Sequence, residues 1–160
     1  MTSDGTAKVT LPADEQILIT REFDVPRHLV YRAWTTPELV RRWWSGERGE
    51  MTTVEIDLRV GGRWRYVMVT EGGGEVAFHG EYREIIPDER IVYTEVFEGT
   101  PDVQALTAVT FTGAAGQTTL AILIRYGGGQ ERDAHSAYMQ DGLEEALDLL
   151  GRTAKALARR

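Results

Sequence analysis

The sequence of 160 residues contains no cysteine and only three histidines. Without cysteine the chain can form no disulfide, no thiolate nucleophile and no thiolate metal site. His28, His79 and His135 are dispersed, and no two of them have the spacing of metal ligands, so we expect neither a metal nor a cofactor. The lack of cysteine is also consistent with a cytoplasmic location, which we expect.

Basic residues are scarce, and long apolar runs are absent. The 18 lysines and arginines are outnumbered by 25 aspartates and glutamates, which gives a formal net charge of −7. Nucleic acids and anionic membranes bind basic surfaces, so we expect neither as a partner. No run of about eighteen apolar residues is present to cross a membrane, and segment 1–16 lacks the apolar stretch of a signal peptide.

Catalytic motifs are also missing. The glycine runs at 72–74 and 127–129 lack the Lys-Ser/Thr that follows a phosphate-binding loop, as well as its strand-to-helix context. There is no Gly-x-Ser-x-Gly element, and no base stands visibly beside a serine. The sequence therefore assigns no reaction, and we expect binding rather than catalysis.

The apolar residues that are present predict one long helix after a series of strands. From Glu131 to about Leu157 they recur at intervals of three and four, which predicts an amphipathic helix with one apolar face. Upstream, alternating patterns predict seven strands, and two short helices separate the first from the second. The strands are Gln16–Asp24, Met51–Leu58, Arg63–Thr70, Glu75–Ile86, Ile91–Glu98, Ala105–Thr112 and Thr118–Tyr126; the helices are Pro26–Thr35 and Pro37–Trp43.

This order of elements predicts an α+β fold of the helix-grip type, in which a curved antiparallel sheet wraps around the C-terminal helix. We expect segment 1–14 to be a flexible leader with a little extended structure at Lys8–Leu11. Residues 15–160 are then expected to form a single domain, because a chain of this length can bury one sizeable core.

Aromatic side chains share one face of the predicted sheet. A hairpin loop of about five residues would place Phe78, Gly80 and Tyr82 beside Met68, Tyr66 and Trp64. Pairing Ile86 with Ile91 would place Tyr82 opposite Glu95 and Glu84 opposite Tyr93. This inner face can be either an ordinary packed core or the wall of a ligand pocket. Gly80 places no side chain on this face, and Gly142 places none on the predicted helix. We therefore expect a cavity at these two positions.

Glu84 and Glu95 are the unusual members of that face. A carboxylate among aromatic rings is costly unless it is paired or hydrogen-bonded, and its pKa rises. Glu95 can orient a ligand, act as a general base, or accept hydrogen bonds from Tyr82 or Tyr66. Of these roles we expect a structural or ligand-orienting one. Glu84 can instead lie at the open rim.

Several segments resemble one known family. They are ITREFDVP at Ile19–Pro26, VYRAWTTPEL at Val30–Leu39, RWW at Arg42–Trp44, VGGRW at Val60–Trp64, HGEY at His79–Tyr82 and RIVYTE at Arg90–Glu95. Together they are similar to bacterial homologues of the activator of the ninety-kilodalton heat-shock protein ATPase. These proteins belong to the START-like, birch-pollen-allergen-like superfamily, also called SRPBCC.

The resemblance implies a helix-grip domain with a largely apolar cavity, which in this superfamily commonly binds lipids, polyketides or other small hydrophobic molecules. It also implies a link to the stress response. Family members often carry Gly-Trp in the final helix, where this chain has Gly142-Leu143. That difference removes a large ring from the expected cavity lining. Co-chaperone activity does not follow directly, because the eukaryotic activator has an additional domain that this chain is too short to contain.

We therefore expect a binder of a small hydrophobic or amphipathic molecule. Its expected ligand-binding residues are Trp44, Trp64, Tyr66, Phe78, Gly80, Tyr82, Tyr93, Glu95, Phe97, His135, Met139 and Leu143. Two alternatives stay open. One is an enzyme of the polyketide cyclase or hydratase type, in which Glu95 or His135 moves protons. The other is a chaperone partner or homodimer that uses the last hairpin, which is apolar on both sides.

Overall fold

A computed structural model describes residues 7–46, 48–127, 133 and 142–158. The strands are β1 (Lys8–Thr10), β2 (Gln16–Phe23), β3 (Gly49–Ile56), β4 (Arg63–Thr70), β5 (Glu75–Ile86), β6 (Arg90–Phe97), β7 (Gln104–Thr112) and β8 (Thr118–Arg125). The helices are α1 (Arg27–Thr35), α2 (Pro37–Val40) and α3 (Leu143–Ala158). The strands form one antiparallel sheet in the order β1-β2-β8-β7-β6-β5-β4-β3. The predicted α+β helix-grip fold is confirmed.

The number of strands and the end of α2 differ from the sequence prediction, and several strand ends differ by one or two residues. The sheet has eight strands instead of about seven, because the short extended segment near Lys8 pairs with β2 through Val9 and Ile19. Helix α2 ends at Val40, earlier than the predicted end at Trp43, and the chain continues through turns to Gly46. None of the described helices is long and apolar enough to cross a membrane.

Helix α3 packs its apolar side into the core. Leu147, Leu150, Ala154 and Leu157 are buried, which confirms the predicted amphipathic pattern over the described part of the helix. The predicted residues 131–132 and 134–141 lie outside the described residues. Arg21 links this helix to the sheet: it is buried on the inner face of β2 and donates hydrogen bonds to Glu144 and Asp148 at 2.9 and 2.5 Å.

The hairpin of β4 and β5 has a different register from the one predicted. Tyr66 pairs with Phe78, and Trp64 pairs with Gly80, two residues away from the predicted partners. The cause is a shorter turn, in which the amide of Thr70 donates to the carbonyl of Gly74 and Gly73 adopts a φ of 85°. A shift of two residues keeps every side chain on its face, so the aromatic face is confirmed.

The hairpin of β5 and β6 also departs from the predicted pairing. Tyr82 pairs with Tyr93, and Glu84 pairs with Val92, with an irregularity between Tyr82 and Glu84. The partner of Tyr82 is therefore two residues away from the predicted one. One residue of this shift comes from a turn that is shorter than predicted, and the other comes from the bulge. It also reverses the alternation of side chains. Glu84 was therefore wrongly placed on the inner face: its side chain is half-exposed and lies 3.2 Å from the Nε of Arg90.

A pocket between the sheet and helix α3

A pocket of about 120 Å³ lies between the inner face of the sheet and the first turns of α3. The sheet side consists of Ile19, Phe78, Tyr93, Glu95, Thr107, Ile122 and Ile124, and the helix side of Gly142, Leu143, Ala146 and Leu147. Trp34, Trp43, Trp44 and Arg48 complete the lining. This volume lies well below the roughly 300–1,000 Å³ of typical ligand sites, but it can hold several waters or one small ring.

The aromatic cluster beside the pocket is packed. Trp64 contacts Tyr66 and Tyr93 with ring centroids 4.7 and 5.4 Å apart, and Tyr82 contacts Tyr93 at 6.2 Å. A void of only about 10 Å³ remains between these rings, Trp34, Trp44 and Glu95. Such a space accepts at most a single water. Of the two interpretations left open by the sequence, a packed core therefore describes Trp64, Tyr66 and Tyr82, while a pocket lies beyond them.

Trp44 separates the packed cluster from the pocket. Its indole contacts Tyr66 and Phe78 with centroids 5.2 and 5.0 Å apart. Trp43 is buried and donates from its Nε1 to the carbonyl of Ala33 at 3.0 Å, whereas Trp44 is only partly buried. One of the two adjacent tryptophans is therefore buried and the other partly exposed.

Glu95 lines both the pocket and the small void. It is partly buried, and among the described residues none makes a hydrogen bond to its carboxylate, so the predicted bonds from Tyr82 or Tyr66 are not formed. Burial raises the pKa of Glu95 from 4.5 to about 7. The inner-face placement of Glu95 is confirmed, and its carboxylate remains available to another partner.

The raised pKa of Glu95 predicts a pH-dependent cost in stability. The folded state holds this proton up to about pH 7, whereas the unfolded state releases it near pH 4.5, so stability is lost as pH rises between these values. Glu95→Gln should therefore be more stable than the parent at pH 8, by roughly 3 kcal/mol, and about equal at pH 4. Urea unfolding of both proteins at the two pH values measures this; a constant difference would contradict the burial of an uncompensated charge.

Thr107 adds a second polar group that sequence reasoning missed. Its side chain is 1% exposed, lines the pocket, and its Oγ1 has no hydrogen-bond partner among the described residues. The signal was present in the sequence, because Thr107 is the one polar residue in the alternating inner-face series Ala105, Thr107, Val109 and Phe111. Trp34 and Arg48 were also missed, since neither belongs to the strands that were used to assign the face.

Gly80 does not leave the open space that was predicted for it. A Cβ atom at this position would overlap the carbonyl oxygen of Thr94 and lie 2.6 Å from the Nε1 of Trp64. That same Nε1 donates to the Thr94 carbonyl at 3.2 Å. Gly80 is therefore needed because the indole and the neighbouring strand approach the backbone closely.

Gly142 does not leave empty space either. A Cβ atom on Gly142 would lie 2.6 Å from the Nε of Arg48, so the guanidinium group lies across the start of α3. Contrary to the prediction, the two glycines therefore do not open the cavity. The pocket lies beside them instead, against Leu143, Ala146 and Leu147.

The other predicted site residues divide into three groups. Trp44, Phe78, Tyr93, Glu95 and Leu143 line the pocket. Phe97 packs against Phe78 at 5.2 Å but does not line it. His135 and Met139 lie outside the described residues.

The outer face of the sheet carries charged side chains. Arg65 donates to both carboxylate oxygens of Glu98 at 2.9 Å, and the Nδ1 of His79 lies 3.0 Å from the same group. The hydrogen bond from Arg65 is the main cause that lowers the pKa of Glu98 to about 2. Within the described ranges no group of histidine, aspartate and glutamate could hold a metal ion.

The last hairpin has one buried and one half-buried side. Leu120, Ile122 and Ile124 belong to the core, while Ala121 and Leu123 are half-buried on the outer face. The use of this hairpin as an interface stays a prediction.

Solved structures with the same fold come from several bacteria. A protein from Rhodobacter sphaeroides is 23% identical, with a TM-score of 0.85 over 94% of this chain and 99% of its own. A protein from Chromobacterium violaceum is 27% identical, with a TM-score of 0.75 over 86% and 96%. An AHSA1-like protein from Aeromonas hydrophila is 22% identical, with a TM-score of 0.69 over 89% and 95%. No curated protein matches the sequence.

The family model described as activator of Hsp90 ATPase homolog 1-like protein matches residues 24–155. This range includes both short helices, strands β3 to β8 and most of α3. The motifs that carried the resemblance fall within or directly before it. The chain belongs to the family of activator of Hsp90 ATPase homolog 1-like proteins.

Proposed function

We propose that this protein binds one small, largely apolar molecule without covalent chemistry, in the pocket between the sheet and α3. The observation that carries the proposal is the pocket itself, which has a mainly apolar lining of Ile19, Ile122, Ile124 and Leu147 and a volume of about 120 Å³. An apolar cavity of about 150 Å³ in another protein binds benzene, so a pocket of this size can accept a small ring.

The pocket sets the scale of the expected affinity. A ring-sized guest that buries about 150 Å² gains roughly 4 kcal/mol at about 25 cal/mol per Å². Before the cost of immobilising the guest, this gain corresponds to a dissociation constant of about 1 mM. Tighter binding requires specific polar contacts, and Glu95 and Thr107 supply the groups for them.

Binding of an apolar probe tests this function. Methylcyclohexane titrated into the protein should shift the methyl resonances of Leu143, Leu147 and Ile122 selectively, because these side chains line the pocket. Leu106 is exposed on the outer face and serves as the internal control. The absence of shifts at the pocket residues, or shifts that affect Leu106 equally, would contradict the proposal.

A second candidate function is proton-transfer catalysis. The observation in its favour is the pKa of about 7 for Glu95, since a general base works best with a pKa near the operating pH. Glu95→Gln distinguishes the two functions. If the protein is a binder, Glu95→Gln still binds apolar probes, and neither the parent nor the variant shows turnover. If the protein is an enzyme, Glu95→Gln still binds the probes but loses the turnover that the parent shows.

A further inference from the structure

We infer that the guest of this pocket is a neutral, ring-sized molecule with one hydroxyl group, which Glu95 and Thr107 hold between them. The inference rests on the proposed function and adds the chemical class of the ligand. It starts from two polar side chains in an apolar lining. The Oγ1 of Thr107 has no hydrogen-bond partner among the described residues, and burial raises the pKa of Glu95 with no hydrogen bond contributing.

Strand pairing brings these two side chains together. Tyr93 of β6 pairs with Thr107 of β7, and Glu95 pairs with Ala105. Glu95 and Thr107 are therefore diagonal neighbours on the inner face, with a separation of about 7 Å between their backbones. Side chains at this distance can reach one oxygen atom located between them.

The hydrogen-bonding capacity of the two groups favours a hydroxyl. An ionised Glu95 only accepts, and Thr107 both donates and accepts. A ligand hydroxyl can donate to the carboxylate while it accepts from Thr107, so one atom satisfies both groups. The buried hydroxyl of Thr107 has no partner among the described residues, and leaving such a group unpaired costs free energy. A guest that lacks a polar atom does not remove this cost.

Charge around the pocket argues against an ionic guest. Arg48 lines the same pocket and would repel an ammonium group in an enclosed, poorly screened space. Above about pH 7 Glu95 is ionised and would repel a carboxylate in the same way. A carbonyl can accept from Thr107, but above about pH 7, where Glu95 is ionised, it offers no donor to the carboxylate.

The inference also predicts how binding depends on pH. The titratable and charged groups that face Glu95 from other strands and loops are Tyr66, Tyr82, Tyr126 and Arg48, and Tyr93 shares its strand. Burial raises the pKa of all four tyrosines, so they stay neutral near pH 7. Among the described groups around the pocket, Glu95 is then the one that titrates there, and a hydroxyl guest should bind more tightly at pH 8 than at pH 6, by up to about tenfold.

The test compares cyclohexanol with methylcyclohexane, which has a similar shape but no hydroxyl, in NMR titrations of the parent and of Thr107→Val. We expect Thr107→Val to weaken cyclohexanol binding about fivefold and to leave methylcyclohexane binding unchanged. Thr112→Val, on the exposed side of the same strand, should change neither. Because valine keeps the shape of threonine and removes an unpaired hydroxyl, Thr107→Val should fold.

The outcomes separate the inference from the proposed function. If methylcyclohexane binds but cyclohexanol is unaffected by Thr107→Val, or binds equally at pH 6 and pH 8, the hydroxyl inference is wrong and the pocket still binds. If neither compound binds, both are wrong. In Glu95→Gln the pH dependence of cyclohexanol binding should disappear, and its persistence would also overturn the inference.

Discussion

Gly80→Ala should destabilise the protein by about 3 kcal/mol, the largest loss we expect from a single added methyl group. The new Cβ would overlap the Thr94 carbonyl oxygen and lie 2.6 Å from the Trp64 indole nitrogen. Neither neighbour can move freely, because Trp64 Nε1 donates to that carbonyl and Thr94 lies in the middle of β6. Thermal unfolding should show the loss as a decrease in Tm of roughly 10 °C.

Gly72→Ala provides the matched control. A Cβ atom there would meet nothing within 4 Å, and Gly72 lies in the exposed turn after β4. Replacement of glycine by alanine at such a site usually stabilises a protein slightly, through the unfolded state. If Gly80→Ala were as harmless as Gly72→Ala, Gly80 would not be a point of close approach.

Leu143→Trp should weaken the binding of small guests at least about tenfold. Leu143 lines the pocket and stands where the family resemblance places a tryptophan. The larger indole would fill much of a pocket of about 120 Å³, and filling it should also raise Tm, because the apolar lining gains contacts. Titration with methylcyclohexane and a thermal melt measure the two effects.

Arg152→Trp is the control for this prediction. Arg152 lies on the exposed side of the same helix and does not line the pocket, so it should leave probe binding unchanged. Full affinity of Leu143→Trp for methylcyclohexane would mean that the guest binds elsewhere.

Alternation along a single strand was enough to predict which of its side chains face the core. The alternation of Trp64, Tyr66 and Met68, or of Tyr93, Glu95 and Phe97, assigns a face without knowledge of the partner strand. Glu95 was therefore placed on the inner face correctly even though its predicted partner, Tyr82, was wrong. The predicted placement of Glu84 was wrong because a β-bulge depends on how two strands pair, which the sequence of one strand does not specify.

The position of the pocket was not predicted, because it depends on side-chain packing that a sequence pattern does not specify. Gly80 and Gly142 were interpreted as empty positions, yet the Trp64 ring and the Arg48 guanidinium occupy the adjacent space. Which long side chain covers a glycine is decided by rotamers and neighbouring loops. Thr107 could have been found, because a threonine between Ala105 and Val109 is a polar exception on a buried face.

The most direct test of the account is a crystal structure of the protein under xenon pressure. Xenon binds apolar cavities without requiring hydrogen bonds. The account predicts a xenon atom in contact with Leu147, Ile122 and Phe78, and its absence from crystals of Leu143→Trp. A parent crystal with these three side chains in mutual contact and no xenon between them would contradict a ligand-binding pocket.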